Sequence, residues 1–132
     1  MGSSGSILRI IDANLNRARE GFRVLEDTAR FLWEDEVLYK HFRTMRHSLD
    51  KIARPLYPQL MNARMVADPG GTLKEGKRKN KNSIVRANLR RCEESLRVLE
   101  EYGKLQSRKL GEQFKKIRFA LYLIEKEIVN QN

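Results

Sequence analysis

Arginine, glutamate and asparagine recur along this chain in a pattern that could hold anionic groups. Residues 12–27 read DANLNRAREGFRVLED and residues 86–101 read RANLRRCEESLRVLEE, at a constant offset of 74 residues. Nine of the sixteen positions are identical. The identical polar pairs are Asn14/Asn88, Arg17/Arg91, Glu20/Glu94, Arg23/Arg97 and Glu26/Glu100. Because guanidinium groups bind phosphate oxygens through paired hydrogen bonds, the repeated arginines suit phosphate chemistry.

The repeated asparagines lie inside apolar helical stripes. On a helical wheel, Asn14 shares its face with Ala18 and Leu25, and Asn88 lies in the same way among the apolar residues of its own copy. A buried amide that finds no partner costs about 1–3 kcal/mol. With Arg17 one turn on and the small Gly21 beside it, Asn14 could form a cradle for a polar ligand.

Two further arginines, Arg46 and Arg118, fall on the inner faces of later helices. A buried guanidinium needs a carboxylate or a phosphate, since an uncompensated buried charge is very costly. Glu20 and Glu94 are the expected internal partners. Two interpretations remain open: the arginines and glutamates form a helix-surface ladder worth about 0.2–0.5 kcal/mol per pair, or they bind a ligand. The duplication of the asparagines and inner arginines favours the ligand site.

These residues must be positioned by helices, because apolar residues recur at helical spacing through most of the chain. We predict helices over residues 7–32, 35–53, 83–105 and 110–129, with Ser83 as the N-cap of the third. The prolines at 55 and 58 should end or kink the second helix. No segment is predicted to be a strand.

The repeat unit is a helical hairpin, because residues 42–49 also align with residues 114–121, at an offset of 72. We therefore predict an all-α, four-helix arrangement in one domain over 7–132, with an approximate internal twofold. It consists of a hairpin over 7–54, a linker over 55–82 and a hairpin over 83–129. Residues 1–6 are expected to be a leader outside the fold.

The linker carries a turn at Asp68-Pro69-Gly70-Gly71 and then a basic run. A connection of this length is either functional or a solvated loop. Its basic residues Lys74, Lys77 and Arg78 could close over nucleotide phosphates.

The chain has 132 residues, a net charge of +10 and a pI near 10.0, which predicts attraction to the phosphates of nucleic acids, lipids or small metabolites. The aromatic residues are not interleaved with the basic linker, which argues against single-strand nucleic-acid binding. A single cysteine, Cys92, indicates a reducing cytoplasm. No apolar run is long enough to span a bilayer.

The two repeated segments resemble a small helical family. The segment from Ile10 to Phe31 resembles the opening of that family, and the segment from Val85 to Lys104 resembles its second motif. Arg64 and Asp68-Pro69-Gly70-Gly71 resemble a further segment. The family is similar to the monofunctional hydroxymethylpyrimidine-phosphate kinases of thiamine biosynthesis, found alone or fused to the N-terminus of thiamine-phosphate synthase.

The resemblance implies phosphoryl transfer from ATP to 4-amino-5-hydroxymethyl-2-methylpyrimidine phosphate, with Mg²⁺ held by carboxylates. The hypothesis places Arg17, Glu20, Arg91 and Glu94 in catalysis, and Glu20, Glu94 and Asp68 as ligands of magnesium. The residues expected to bind substrate or phosphates are Asn14, Asn88, Arg46, Arg118, Arg23, Arg97, Arg64, Lys74, Lys77 and Arg78.

Two alternatives remain for function. The chain could be a non-catalytic helical partner of thiamine-phosphate synthase, or a basic helical protein that binds nucleic acid with strong salt dependence. A homodimer is a further expectation for its assembly.

Overall fold

The computed structural model describes residues 2–64 and 76–131, and side chains are described for residues 5–64 and 76–130. The described residues contain four long helices and one short helix. Their bounds are α1 Gly2–Asp27, α2 Glu36–Ala53, α3 Tyr57–Ala63, α4 Lys81–Gln106 and α5 Arg108–Gln131. The described part of the chain has no strand, so the all-α prediction is confirmed.

The helices pack as two hairpins side by side. Helix α1 packs most extensively against α4, while α2 packs on α1 and α5 packs on α4. The second helix of each hairpin contributes a fully buried phenylalanine, Phe42 from α2 and Phe114 from α5, at equivalent positions of the repeat. The apolar stripes that predicted the helices therefore meet in one continuous core.

The two hairpins meet at a close approach of α1 and α4. The Sγ of Cys92 donates a hydrogen bond to the carbonyl oxygen of Ala18 at 3.6 Å, and these two residues are counterparts in the repeat. A Cβ added to Gly21 would lie 2.5 Å from the same Sγ and 3.4 Å from the carbonyl oxygen of Asn88. Ala18 of α1 contacts Cys92 of α4, and Gly21, further along α1, also approaches Asn88, which comes earlier in α4. The two helices therefore run antiparallel where they cross, as an internal twofold requires.

The first helix differs from its prediction near its end. Helix α1 stops at Asp27 and passes into a π-helical turn, Thr28–Leu32. The Thr28 hydroxyl donates to the Val24 carbonyl at 2.8 Å, and the wider turn rotates Leu32 away from the core, leaving it 45% exposed. At the other end, α1 begins at Gly2, inside the segment expected to be a leader.

The predicted linker also contains structure. A 3₁₀ turn, Arg54–Leu56, leads into α3, which buries Leu60 against α1. Helix α4 begins two residues before its predicted start, because Asn80 and not Ser83 is the N-cap. The Asn80 side chain accepts from the Ser83 amide at 2.9 Å, and the Ser83 hydroxyl accepts from the Asn80 amide at 3.0 Å, which forms a reciprocal capping box.

None of the helices in the described ranges combines the length and the apolar character that crossing a membrane requires.

Candidate phosphate-binding site

A cleft of about 470 Å³ lies where α1 and α4 face each other, and we call it the arginine cleft. Its volume falls within the range of about 300–1,000 Å³ that is usual for small-molecule sites. The described residues that line it are Asn14, Arg17, Arg78, Ala87, Arg90, Arg91, Glu94, Ser95 and Val98. The cleft thus brings together Asn14, Arg17, Arg78, Arg91 and Glu94, five of the residues predicted from the sequence.

Four guanidinium groups and one carboxylate line the arginine cleft. Arg17 and Arg91 occupy equivalent positions of the two copies, so the internal twofold brings both into one cleft. Arg78 arrives from the segment before α4, where its Nη1 donates to the Gly76 carbonyl at 3.1 Å. With a single carboxylate, Glu94, among them, the lining has a strong positive excess that attracts a multiply charged anion.

The predicted asparagines are held mainly by their own helices. Asn14 is 5% exposed, and its Nδ2 donates to the Ile10 carbonyl at 2.8 Å. Its Oδ1 accepts from Arg17 Nη1 at 3.4 Å, so it helps to orient that guanidinium at the wall of the cleft. Asn88 bonds in the same way to the Ile84 carbonyl at 2.8 Å and does not belong to the described lining of the cleft.

The prediction that Glu20 and Glu94 pair with the inner arginines Arg46 and Arg118 is wrong. Arg46 is held by Glu26 and not by Glu20: its Nε and Nη2 donate to the two carboxylate oxygens, the latter at 3.0 Å. Arg118 is held by Glu100 and not by Glu94, with an Nε to Oε2 distance of 2.8 Å. Both carboxylates are almost completely buried, so each repeat carries the same internal ion pair away from the cleft.

These ion pairs keep both arginines charged. The hydrogen bond that Arg46 donates to Glu26 raises the pKa of Arg46 above its ordinary value, against a smaller opposing effect of burial. For Arg118, burial lowers the pKa, but hydrogen bonds and charge interactions with Glu100 and Tyr122 together outweigh this effect, so the net shift is upward. The pairs satisfy the buried charges internally, and we assign Arg46 and Arg118 to the scaffold of the hairpins.

Other predicted residues lie outside the described lining of the cleft. Glu20 is exposed on α1, and Arg23 and Arg97 are exposed with carboxylate contacts at 4.0 Å to Glu26 and 3.1 Å to Glu101. Lys77 is exposed in the segment that precedes α4. Asp68 and Lys74 lie outside the described residues.

Arg64 forms a structural contact that the sequence did not reveal. Its guanidinium donates to both carboxylate oxygens of Asp12, at 2.8 and 2.6 Å, and this hydrogen bonding raises the pKa of Arg64. Nearby, Arg19 donates to Asp50 at 2.6 Å and to the Tyr57 hydroxyl. These contacts fasten α3 and the end of α2 to α1. The residues stand many positions apart, so spacing alone carries no signal of their pairing.

Arg90 is a lining residue that sequence reasoning missed. It projects on the exposed side of α4 beside Arg91, and its counterpart in the first copy is Asn16. The search for identical repeated residues therefore passed over it. A test for arginines that cluster on adjacent turns of a helix would have found it, because Arg86, Arg90 and Arg91 occupy adjacent turns of α4.

No group of three or more histidine, cysteine, aspartate or glutamate side chains suited to a metal ion exists among the described residues. Magnesium that accompanies a nucleotide usually needs only one or two protein carboxylates, since phosphates and water complete its shell. Glu94 is the carboxylate that the cleft provides for such an ion, so the donor set fits a magnesium ion carried by phosphates.

A larger hollow, of about 710 Å³, lies between the end of α2 and the beginning of α5. Its cations are the lysines Lys51, Lys109 and Lys116, and none of its lining residues is a carboxylate. The arginine cleft is therefore the better candidate, because it combines planar phosphate-binding groups with a ligand for a metal ion.

Comparison with known proteins supports the relationship that the repeated motifs suggested. The chain is 40% identical to a thiamine-phosphate synthase of Thermosynechococcus vestitus over 124 residues, which is 91% of this chain and 34% of that protein. It is also 40% identical to the thiamine-phosphate synthase of a Synechocystis species over 127 residues, 93% of this chain and 36% of that protein. The chain spans about a third of the length of these curated relatives. No solved structure matches the chain significantly.

The fold and the site define a class of protein: a helical protein with a duplicated hairpin and an arginine-lined cleft. The sequence profile of the ThiD2 family matches residues 9–127, which is nearly the whole chain. The protein belongs to the ThiD2 family. Its relatives include proteins that carry the name thiamine-phosphate synthase.

Proposed function

We propose that this protein phosphorylates 4-amino-5-hydroxymethyl-2-methylpyrimidine phosphate with ATP, forming the diphosphate for thiamine biosynthesis. The observation that carries the proposal is the arginine cleft, whose lining includes Arg17 from α1 and Arg91 and Glu94 from α4. Membership of the ThiD2 family and the similarity to thiamine-phosphate synthases support the pathway.

The reaction makes modest demands on the protein. An oxygen of the substrate phosphate attacks the γ-phosphorus of ATP, a new P–O bond forms, the bond to the β-phosphate oxygen breaks, and ADP leaves. The acceptor is already ionised near neutral pH, so no strong general base is required. Catalysis then depends on positioning and on cations that neutralise the crowded phosphates.

The cleft residues divide these tasks. Arg17 and Arg91 hold the phosphates from opposite helices, and Asn14 steadies Arg17 through its Oδ1. Arg78 and Arg90 add positive charge at the border. Glu94 would hold the magnesium that accompanies ATP, and the ion would neutralise phosphate charge. Glu20, the repeat counterpart of Glu94, stays a predicted magnesium ligand, as does Asp68.

The test is ADP release that depends on the pyrimidine monophosphate, measured with and without magnesium. Arg17→Ala and Arg91→Ala should each lower kcat/KM by about 100-fold, because each removes a charged donor that acts on the transferring group. Arg43→Ala is the matched control, since Arg43 is exposed on α2 away from the cleft. Thermal melts of all three variants should remain close to wild type. Equal activity in Arg17→Ala, Arg91→Ala and Arg43→Ala would contradict the proposal.

A second candidate is a non-catalytic partner domain of thiamine-phosphate synthase. It is favoured by the fact that the chain corresponds to only about a third of its curated relatives. In that case the same assay gives no ADP release, while the protein binds a separately expressed thiamine-phosphate synthase in sedimentation experiments.

A further inference from the structure

A third hollow, of about 400 Å³, opens on the other side of α4 from the arginine cleft, and we call it the tryptophan hollow. Its described lining residues share an unusual mixture of an indole, carboxylates and guanidiniums. They are Trp33, Asn82, Val85, Arg86, Leu89, Arg90, Glu93, Glu125, Ile128 and Val129. Arg90 lines both hollows, so the two sites meet at one guanidinium.

Two carboxylate oxygens in this hollow lack hydrogen-bond partners. Oε2 of Glu93, from α4, and Oε2 of Glu125, from α5, are shielded from solvent, and neither has a partner among the described residues. Buried polar atoms nearly always have a hydrogen-bond partner. Two carboxylate oxygens without a donor in one hollow therefore lower the stability of the protein. Once the two carboxylates turn toward the open hollow, a ligand that brings N–H donors would satisfy both oxygens.

The internal repeat shows that this hollow is specific to the second hairpin. At the offset of 74, Glu93 corresponds to Arg19, and Arg86 corresponds to Asp12. In the first hairpin these two residues are satisfied internally, Arg19 by Asp50 and Asp12 by Arg64. In the second hairpin the charges are reversed and the equivalent groove is open. The two copies have therefore diverged at this groove, which ion pairs within the protein fill in the first hairpin and which stays open in the second.

The lining fits a flat heteroaromatic ring with amino groups. Trp33 contributes an indole to the lining, Val85 and Leu89 contribute apolar side chains, and the two glutamates contribute hydrogen-bond acceptors for the ring edge. Arg86 and Arg90 lie on the same lining and can receive an anionic substituent of such a ring. A purely aliphatic amine would leave the aromatic and cationic parts of the hollow unused.

We propose that the tryptophan hollow binds the aminopyrimidine ring of the acceptor substrate, with Glu93 and Glu125 accepting hydrogen bonds from its N–H groups. The phosphate of the acceptor then points past Arg90 toward the arginine cleft, where ATP binds. This inference rests on the proposed function for the identity of the ring. It gives the two hollows separate roles, one for the base and one for the transferring phosphates.

The test measures ring binding without turnover. The chain has a single tryptophan, Trp33, so its fluorescence reports directly on the hollow. The full chain is titrated with unphosphorylated 4-amino-5-hydroxymethyl-2-methylpyrimidine, and with the analogue that lacks the 4-amino group. We expect saturable quenching by the amino compound and much weaker binding of the analogue. Saturable quenching by magnesium alone, with none by the pyrimidine, would overturn the inference in favour of a cation site.

Matched variants assign the effect to the carboxylates. Glu93→Gln and Glu125→Gln should each weaken pyrimidine binding by about tenfold or more, because a charge-assisted hydrogen bond is lost. Glu127→Gln, at an exposed neighbouring position of α5, should bind like wild type. Thermal melts of the glutamine variants should not fall, since no internal partner is removed. Unchanged affinity in both hollow variants would overturn the inference.

The two proposals fail separately. ADP release in wild type together with unchanged pyrimidine affinity in Glu93→Gln and Glu125→Gln would overturn the ring site and leave the kinase. Pyrimidine binding that depends on both glutamates, without any ADP release, would support the ring site and overturn the kinase. Calorimetric titration serves as the second measurement for variants in which fluorescence changes for another reason.

Discussion

At the scale of single residues, arginine has two different structural settings in this protein, one inside the hairpins and one at the wall of a cleft. Arg46 and Arg118 reach Glu26 and Glu100 inside the hairpins, whereas Arg17 and Arg91 lie at the wall of an open cleft. A buried guanidinium with an internal carboxylate has no remaining demand for a ligand. Arg46 and Arg118 therefore belong to the interior of the hairpins, whereas Arg17 and Arg91 line a cleft that a ligand can enter, although each pair occupies repeated positions.

The buried ion pairs should dominate stability among the repeated polar residues. Glu26→Ala or Glu100→Ala leaves a largely buried guanidinium without its counter-charge, and we expect the free energy of unfolding to fall by about 3 kcal/mol. Glu20→Ala, at an exposed position of α1, should change it by less than about 0.5 kcal/mol. Urea unfolding followed by circular dichroism measures all three. A similar loss in Glu20→Ala and Glu26→Ala would contradict the assignment.

Cys92 should be inert in the folded protein. Burial raises the pKa of its thiol to about 12, despite an opposing effect of Arg91, so the reactive thiolate is scarce at neutral pH. Because the folded state favours the neutral thiol, the stability gained is complete below the unfolded pKa of about 8.5 and is lost as pH rises toward 12. An aromatic disulfide reagent at pH 8 should label unfolded but not native protein. Cys92→Ala should lose less stability than wild type between pH 8 and pH 10.

At the scale of elements, the turn between α1 and α2 stores backbone strain. Glu34 has φ at 50°, in the left-handed region that costs a residue with a Cβ about 1–2 kcal/mol. Glu34→Gly should therefore raise the free energy of unfolding by about 0.5–1 kcal/mol after the added entropy of the unfolded chain. Glu34→Ala keeps the Cβ and should give no gain. Thermal and urea unfolding measure both, and a gain in the alanine variant would point to charge instead of strain.

The helices could be predicted because apolar residues repeat at 3.6-residue spacing, whereas the short elements could not. Helix α3 was hidden by Pro55 and Pro58, which predict a break but are also favourable in the first turn of a helix. The π-helical turn left no trace in the spacing, since Ala29 continues the apolar stripe into it. Tertiary contacts decide both features, and a single sequence does not display them.

Most of the candidate site was predictable because the repeat preserves identity, and Arg78 was predictable because it lies in the basic run before α4. Asn14, Arg17, Arg91 and Glu94 came from duplicated positions, and the structure brings them to one cleft. Arg90 and Glu93 stand opposite different residues in the first copy, so the same search excluded them. Duplication reveals what both hairpins need for folding. The residues that differ between copies show where one hairpin has acquired a task of its own.

At the scale of the whole molecule, the close approach of α1 and α4 holds the two hairpins in register. Gly21 lies against Cys92 at this crossing, and its repeat counterpart is Ser95, on the lining of the arginine cleft. The missing side chain at Gly21 lets the helices come close enough for Arg17 and Arg91 to share one cleft. The short distance between α1 and α4 is thus required for the site as well as for the fold.

This contact gives a test of the assembly as a whole. Gly21→Ala places a Cβ 2.5 Å from Cys92 Sγ, so either the sulfur or the helices must shift, and we expect a loss of about 1–3 kcal/mol. Cys92→Ala removes that sulfur, and the carbonyl oxygen of Asn88 at 3.4 Å then leaves ordinary room for the new methyl group. The double variant should therefore be more stable than the sum of the single losses predicts, with a coupling of about 1 kcal/mol or more. Gly76→Ala, with nothing within 4 Å, controls for the general effect of replacing glycine. Additive losses in the double variant would mean that α1 and α4 do not meet at these residues in solution.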